Sequence, residues 1–296
     1  MKKTIFTGAG VAIATPFFED GSINFDELGR LIDFNIDNGT DAIIICGTTG
    51  ESATMSDEEH IECIKYAVDK VAKRIPVIAG TGSNDTKYAI HLSQEAEALG
   101  ADALLLVTPY YNKASQAGLI KHYQMIAESV SLPIIVYSVA SRTGVNILPE
   151  TCVELAKIPN IVAIKEASGN ISQIAQIAAL CGDELDIYSG NDDQILPIMA
   201  LGAKGVISVL SNVMPFETHE IAALCLENDY VQAREKMFKV QQLAKDLFCD
   251  VNPIPVKHAL NVMGFNAGPC RMPLCEMSVA NKEKLETTMR KVGLIK

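Results

Sequence analysis

The residues able to do chemistry stand where short apolar runs end. The run over 161–166 reads Ile161-Val-Ala-Ile-Lys165-Glu166. Strand alternation places Ile161, Ala163 and Lys165 on one face and Val162, Ile164 and Glu166 on the other. If the first face points into a closed sheet, the amine stands among aliphatic side chains and desolvation disfavours its ammonium form. An unperturbed lysine, with a pKa of about 10.4, is neutral only roughly once in a few thousand molecules at pH 7. A neutral amine can attack a ketone and form an imine. The alternative is a strand-end lysine whose stem packs while its ammonium reaches water or a carboxylate. The run by itself leaves both readings open.

Neighbouring run ends carry complementary groups. The run 134–139 carries Tyr137 near its end, able to shuttle protons, and Arg142 follows it, with a planar fork that suits a carboxylate. Each has a plainer reading, as a core tyrosine and a solvated arginine. The turn Gly47-Thr48-Thr49-Gly50-Glu51-Ser52 offers hydroxyl donors and a backbone that can approach a small anion closely. The pair Tyr110-Tyr111 reads as part of a site, an interface or helix packing. Asp192 and Asp193, after Gly190, read most simply as acids at a helix start. The histidines at 60, 91, 122, 219 and 258 are isolated and no H-E-x-x-H occurs, so no metal site is expected.

These run ends need a scaffold that gathers them. Eight β-rich runs recur, at 10–15, 41–46, 76–80, 103–108, 134–139, 161–166, 185–189 and 205–210, each followed by a helical pattern. The runs are almost continuously apolar, as strands buried on both faces are. Ser56 with Glu59 forms a capping box. Leu28, Leu31, Ile32 and Ile36, and likewise Ile120, Tyr123, Ile126 and Ala127, follow helical spacing. Gly39 and Gly100 mark helix stops. Regular β–α alternation leaves a closed parallel barrel or a doubly wound sheet. A nucleotide-binding open sheet would want G-x-G-x-x-G after its first strand, and none is present. The expected fold is therefore an α/β, (β/α)8 TIM barrel over residues 1–228. A helical C-terminal domain is expected over 229–296, with helices at 230–248, 254–263 and 281–293. In such barrels the site lies at the C-terminal ends of the strands.

Composition narrows the partners. The 296-residue chain is 48% apolar and carries a net charge of −11. No basic run occurs, so neither nucleic acid nor an anionic membrane is an expected partner. No uninterrupted apolar stretch of about 18 residues predicts a transmembrane helix. Lys2, Lys3 and Ala12-Ile13-Ala14 faintly resemble a leader and its cleavage site, but the stretch reads better as the first strand. The eight cysteines include no C-x-x-C pair and fit free thiols in a reducing, cytoplasmic setting.

Taken together, the motifs resemble the dihydrodipicolinate synthase family, within the pyruvate-dependent Schiff-base lyase superfamily that includes N-acetylneuraminate lyase. The resemblance spans essentially the whole chain. It rests on G-T-T-G-E-S at 47–52, V-T-P-Y-Y-N-K at 107–113, Tyr137 with S-R-T-G-V-N at 141–146, I-K-E-A-S-G-N at 164–170, Y-S-G-N-D-D at 188–193 and N-P-I-P-V-K at 252–257. It implies that Lys165 forms an imine with pyruvate and that Tyr137 shuttles protons, linked through Thr48 to Tyr111 of a neighbouring subunit. It further implies that Thr49 holds the pyruvate carboxylate, that Arg142 holds that of aspartate semialdehyde, and that Gly190 and Ile207 line the pocket through backbone groups. The implied reaction makes 4-hydroxy-tetrahydrodipicolinate for lysine and diaminopimelate synthesis, with no metal or organic cofactor, in a homotetramer built as a dimer of dimers. The alternatives are a pyruvate aldolase acting on sugar acids and a catalytically silent keto-acid-binding barrel. Arg142 and the Thr48-Thr49 pair favour the synthase.

Two departures carry expectations of their own. The family usually has Asn-Val-Pro after the strand-five tyrosine, whereas this chain has Ser138-Val139-Ala140. Loss of a proline is expected to loosen the loop carrying Arg142. The positions matching the family's lysine-inhibition site are Ser52, Ala53, Asp57, His60, Asn84, Tyr88 and Tyr110. Lysine-sensitive members usually have His at position 57 and Glu at position 88. Weak or absent inhibition by lysine is expected.

Overall fold

The computed structural model describes residues 2–296. Eight parallel strands, β1 (Gly8–Ala12), β2 (Ala42–Ile45), β3 (Val77–Gly80), β4 (Ala103–Val107), β5 (Ile134–Ser138), β6 (Ile161–Glu166), β7 (Asp186–Ser189) and β8 (Gly205–Ser208), pair in sequence order, and β8 returns to β1. The closed barrel is the expected (β/α)8 fold. Almost every strand residue is buried because helices cover the outer face while side chains fill the lumen.

The surrounding helices form for the reasons legible in the sequence. Ser56 caps the helix Asp57–Val71 in a complete capping box with Glu59. Leu28, Leu31 and Ile32 of the helix Phe25–Asp37 are fully buried, as are Tyr123 and Ile126 of the helix Gln116–Ala127. Each such aliphatic side chain contributes roughly 1.5–3 kcal/mol by leaving water.

Two strand details differ from the expected pattern. The first strand is Gly8–Ala12 instead of 10–15. Beyond it, Asn212 takes over the ladder's role: its Nδ2 donates to Ala12 O (2.9 Å) and its Oδ1 accepts from Ala14 N (3.0 Å). In β6 the register shifts at the start, with Ile161 opposite Ile134 but Ala163 opposite Ile135. Ile161 therefore packs in the outer core, while Val162 and Ala163 join the lumen cluster. The face holding Ala163 and Lys165 keeps its inward direction; Ile161 does not share it.

Phe6 and Tyr188 close the lumen. Their rings stack at 4.4 Å, and the Tyr188 hydroxyl donates to Phe6 O at 2.6 Å. After the helix Pro215–Leu226 the chain continues as the helices Tyr230–Asp246, Ile254–Val262 and Val279–Lys291, close to the expected spans. Among the described residues no helix is long and apolar enough to cross a membrane.

Candidate active site

A cavity of about 200 Å³ opens at the C-terminal ends of the strands. Its wall includes Thr48 and Thr49 after β2, Tyr137 on β5, Arg142, Lys165 on β6 and Gly190 after β7. The apolar part of the wall includes Ala12, Ile44, Leu105 and Phe248. Six of the eight residues expected to catalyse the reaction or bind substrate thus face one space.

Lys165 is 6% exposed, and its pKa is lowered to about 8, chiefly by burial. The nearby Arg142 charge pushes the same way and the Asp192 carboxylate opposes it. At pH 7 a group of pKa about 8 is neutral in roughly one molecule in ten, against about one in three thousand for an unperturbed lysine. The Nζ atom lies 4.2 Å from the centre of the Tyr137 ring, which follows from the strand register placing Tyr137 beside Lys165. Burial raises the Tyr137 hydroxyl pKa, while Arg142 and a hydrogen-bonding contact with Thr48 lower it. Tyr137 thus touches both the amine and the 47–51 turn.

Gly190 has a steric reason to be glycine. A Cβ there would fall 2.7 Å from Ala167 Cβ, 3.0 Å from Glu166 O and 3.2 Å from Lys165 Cε. Any side chain would push on Lys165.

The Arg142 loop after Ser138-Val139-Ala140 carries hydrogen bonds of its own. Ser138 Oγ bonds Asn146 Oδ1 (3.2 Å) and accepts from Ile147 N (3.2 Å). Thr143 Oγ1 reaches Val139 O (3.2 Å) and Val145 O (3.0 Å), and Thr108 Oγ1 donates to it (2.9 Å). Arg142 and Thr143 sit in a single helical turn, Ala140–Thr143. The serine hydroxyl and the short turn supply the closure that a proline would otherwise favour.

Two expected residues stand apart from the cavity wall. Ile207 is fully buried on the lumen side of β8. Tyr111 is 87% exposed, with φ +73°, and projects from the molecule beside the half-exposed Tyr110. Among the residues matching a lysine site, Tyr88 donates to Asp57 Oδ1 at 2.6 Å, and Asn84 O accepts from Asn112 Nδ2 at 2.9 Å. Ala53 is exposed and Ser52 half-buried. His60 is buried with Nε2 2.8 Å from Gly80 O, so its ring serves the back of β3.

The sequence places Asp192 at a helix start, as observed, but not its burial, and it says nothing of what Lys257 and Asn252 reach. Asp192 begins a helical turn but is 3% exposed. Its Oδ2 accepts from Val209 N (3.1 Å) and Leu210 N (2.9 Å), and its carboxylate opposes the fall of the Lys165 pKa. Lys257 donates to Glu51 Oε1 at 2.9 Å, with both side chains 2% exposed. Arg271 N donates to Glu51 Oε2 at 2.9 Å. Asn252 lines the cavity itself. The N-P-I-P-V-K motif was the available signal, but its partners lie about two hundred residues away in sequence.

The chain matches the dihydrodipicolinate synthetase family over residues 5–292. It belongs to that family. It is 57% identical over 291 residues to the 4-hydroxy-tetrahydrodipicolinate synthase of Caldicellulosiruptor bescii, covering 98% of both chains. To the synthase of Lachnoclostridium phytofermentans it is 58% identical over 292 residues, covering 98% of this chain and 99% of that one. The crystal structure of the Acinetobacter baumannii dihydrodipicolinate synthase complexed with pyruvate superposes with a TM-score of 0.97 at 44% identity, covering 99% of this chain and 100% of that chain.

Proposed function

We propose that this member of the dihydrodipicolinate synthetase family condenses pyruvate with L-aspartate 4-semialdehyde to give 4-hydroxy-tetrahydrodipicolinate. The observation that carries the reading is a lysine with pKa about 8, set over a tyrosine ring in a strand-end cavity that also holds Thr49 and Arg142.

Neutral Lys165 attacks the pyruvate carbonyl carbon, and the carbonyl oxygen leaves as water after two proton transfers through Tyr137. The imine draws electrons from the adjacent methyl group. Loss of a methyl proton gives an enamine, whose terminal carbon attacks the semialdehyde carbonyl. The new alkoxide takes up a proton. The substrate's own amine then attacks the imine carbon and expels Lys165, closing the ring. Thr49 holds the pyruvate carboxylate and Arg142 the second carboxylate, bidentately. Thr48 relays protons between Tyr137 and Tyr111. The exposure of Tyr111 supports a site completed by a neighbouring subunit, and hence a homotetramer built as a dimer of dimers.

The small cavity favours short substrates over the nine-carbon sugar acids of the aldolase alternative. The C-terminal helical domain, 229–296, is read as a buttress for the 47–51 turn. The test is borohydride trapping with pyruvate, followed by coupled turnover with aspartate semialdehyde against N-acetylmannosamine. Mass added at Lys165 together with preferential turnover of the semialdehyde supports the reading. Absence of an adduct removes the imine mechanism.

A further inference from the structure

Asn252 arrives from outside the barrel, just before the helix Ile254–Val262, yet it is 5% exposed in the cavity wall. Its side-chain Nδ2 donates to Thr49 Oγ1 at 3.0 Å. Its main-chain oxygen accepts from Arg142 Nη2 at 3.2 Å. One residue therefore touches both groups to which the proposed function gives a carboxylate. A threonine hydroxyl has one proton and two lone pairs. When Asn252 occupies a lone pair, the Thr49 proton is left for another acceptor, and the donated bond polarises the hydroxyl toward giving it. Arg142 has five N–H donors. Committing one of them to a fixed carbonyl orients the fork and leaves the others for an anion.

We propose that Asn252 is a positioning residue for the reaction, aiming the Thr49 hydroxyl at the pyruvate carboxylate through its side chain and orienting Arg142 through its main chain. This rests on the reading given above for Lys165 and Thr49. Substitution removes only the side-chain arm, so the effect falls on pyruvate. In Asn252→Leu, which keeps the branched heavy-atom skeleton without the polar atoms, the KM for pyruvate rises roughly tenfold, about 1.4 kcal/mol, as expected for one lost hydrogen bond to an anion-binding group. The KM for the semialdehyde and kcat shift by less than about threefold.

The deciding measurement is a double-mutant cycle with Thr49→Val on the full-length enzyme, following KM for pyruvate and the rate of borohydride-trapped adduct. If Asn252 acts through Thr49, adding Asn252→Leu to Thr49→Val changes either quantity by less than about twofold. Equal effects in both backgrounds, or a fall in kcat with KM unchanged, overturn the proposal. Should Asn252→Leu fail to fold, Asn252→Asp keeps the shape and replaces the donor with an anion. It is expected to raise pyruvate KM by more than tenfold, and a wild-type KM there overturns the proposal. A wild-type enzyme that traps no pyruvate refutes the imine reading and this inference together. A wild-type adduct with neutral Asn252 variants refutes this inference alone.

Discussion

Lys165 and Lys257 are both buried, at 6% and 1% exposure, and burial lowers the pKa of each. They differ in what stands beside the ammonium. Lys257 meets Glu51 Oε1 at 2.9 Å and Pro269 O at 2.6 Å, and its Nζ lies 4.3 Å from the centre of the Phe17 ring. Among the described residues no carboxylate lies within ion-pair distance of Lys165. It faces the Tyr137 ring, with Arg142 adding a like charge and Asp192 a compensating one. The paired lysine fastens the C-terminal segment to the 47–51 turn, and Glu51 opposes the effect of burial on its pKa. An incompletely paired one loses its proton more readily, as the nucleophile proposed above requires.

The largest expected effect comes from removing the reactive member. Lys165→Met should lower turnover by at least about 10⁴-fold, since no other group supplies the covalent step. The fold should gain stability, because Lys165 binds its proton less tightly folded than unfolded. That penalty, about 3 kcal/mol from a pKa moved from 10.5 to about 8, is fully present below pH 8 and fades as pH rises toward 10.5. Urea unfolding of Lys165→Met and wild type across pH 7–10.5 checks this. A variant that is less stable at pH 7 would contradict the desolvation argument.

Breaking the paired member should act on stability first. Lys257→Met leaves Glu51 as a buried, under-compensated carboxylate and should cost about 3–5 kcal/mol. The double variant Lys257→Met, Glu51→Leu should recover part of that. Equal unfolding midpoints for wild type and the single variant would show that the ion pair is not a structural fastener.

Arg142→Lys keeps the charge and loses the planar fork. It should raise KM for the semialdehyde by roughly tenfold or more while leaving pyruvate adduct formation near wild type. Steady-state kinetics with each substrate varied in turn separates the two.

A milder test follows the proton. The rate of imine formation should climb as pH rises through about 8 and level off above it, as Lys165 deprotonates. A flat profile from pH 6.5 to 9 would detach the pKa of Lys165 from catalysis. The smallest expected response is to lysine. Tyr88 already bonds Asp57 at 2.6 Å, and no glutamate stands at position 88 to meet an ammonium. Sub-millimolar lysine should leave activity within about a fifth of its value, and half-inhibition at that level would refute the expectation.

The N-P-I-P-V-K segment shows where sequence reading stopped. Its residues were conspicuous, but nothing local says that Asn252 reaches Thr49 or that Lys257 reaches Glu51, because those contacts close across most of the chain. Asp192 was legible as a helix-start acid and not as a buried neighbour of Lys165, since its burial depends on the β8 end folding over it. Lys165, Tyr137, Thr49 and Arg142 were legible because each follows an apolar run, and strand ends in a barrel converge.

The sequence by itself determined the eight β–α units, the alternation that sets Ala163 and Lys165 on one face, and the types of group at each strand end. Those follow from periodicity and local chemistry, which act between near neighbours. The tertiary structure alone decided the degree of burial that moves the Lys165 pKa, the hydrogen bonds of the Arg142 loop, and the pairing that separates Lys165 from Lys257. Desolvation and ion pairing depend on atoms brought together from distant parts of the chain, and no local pattern encodes their distances.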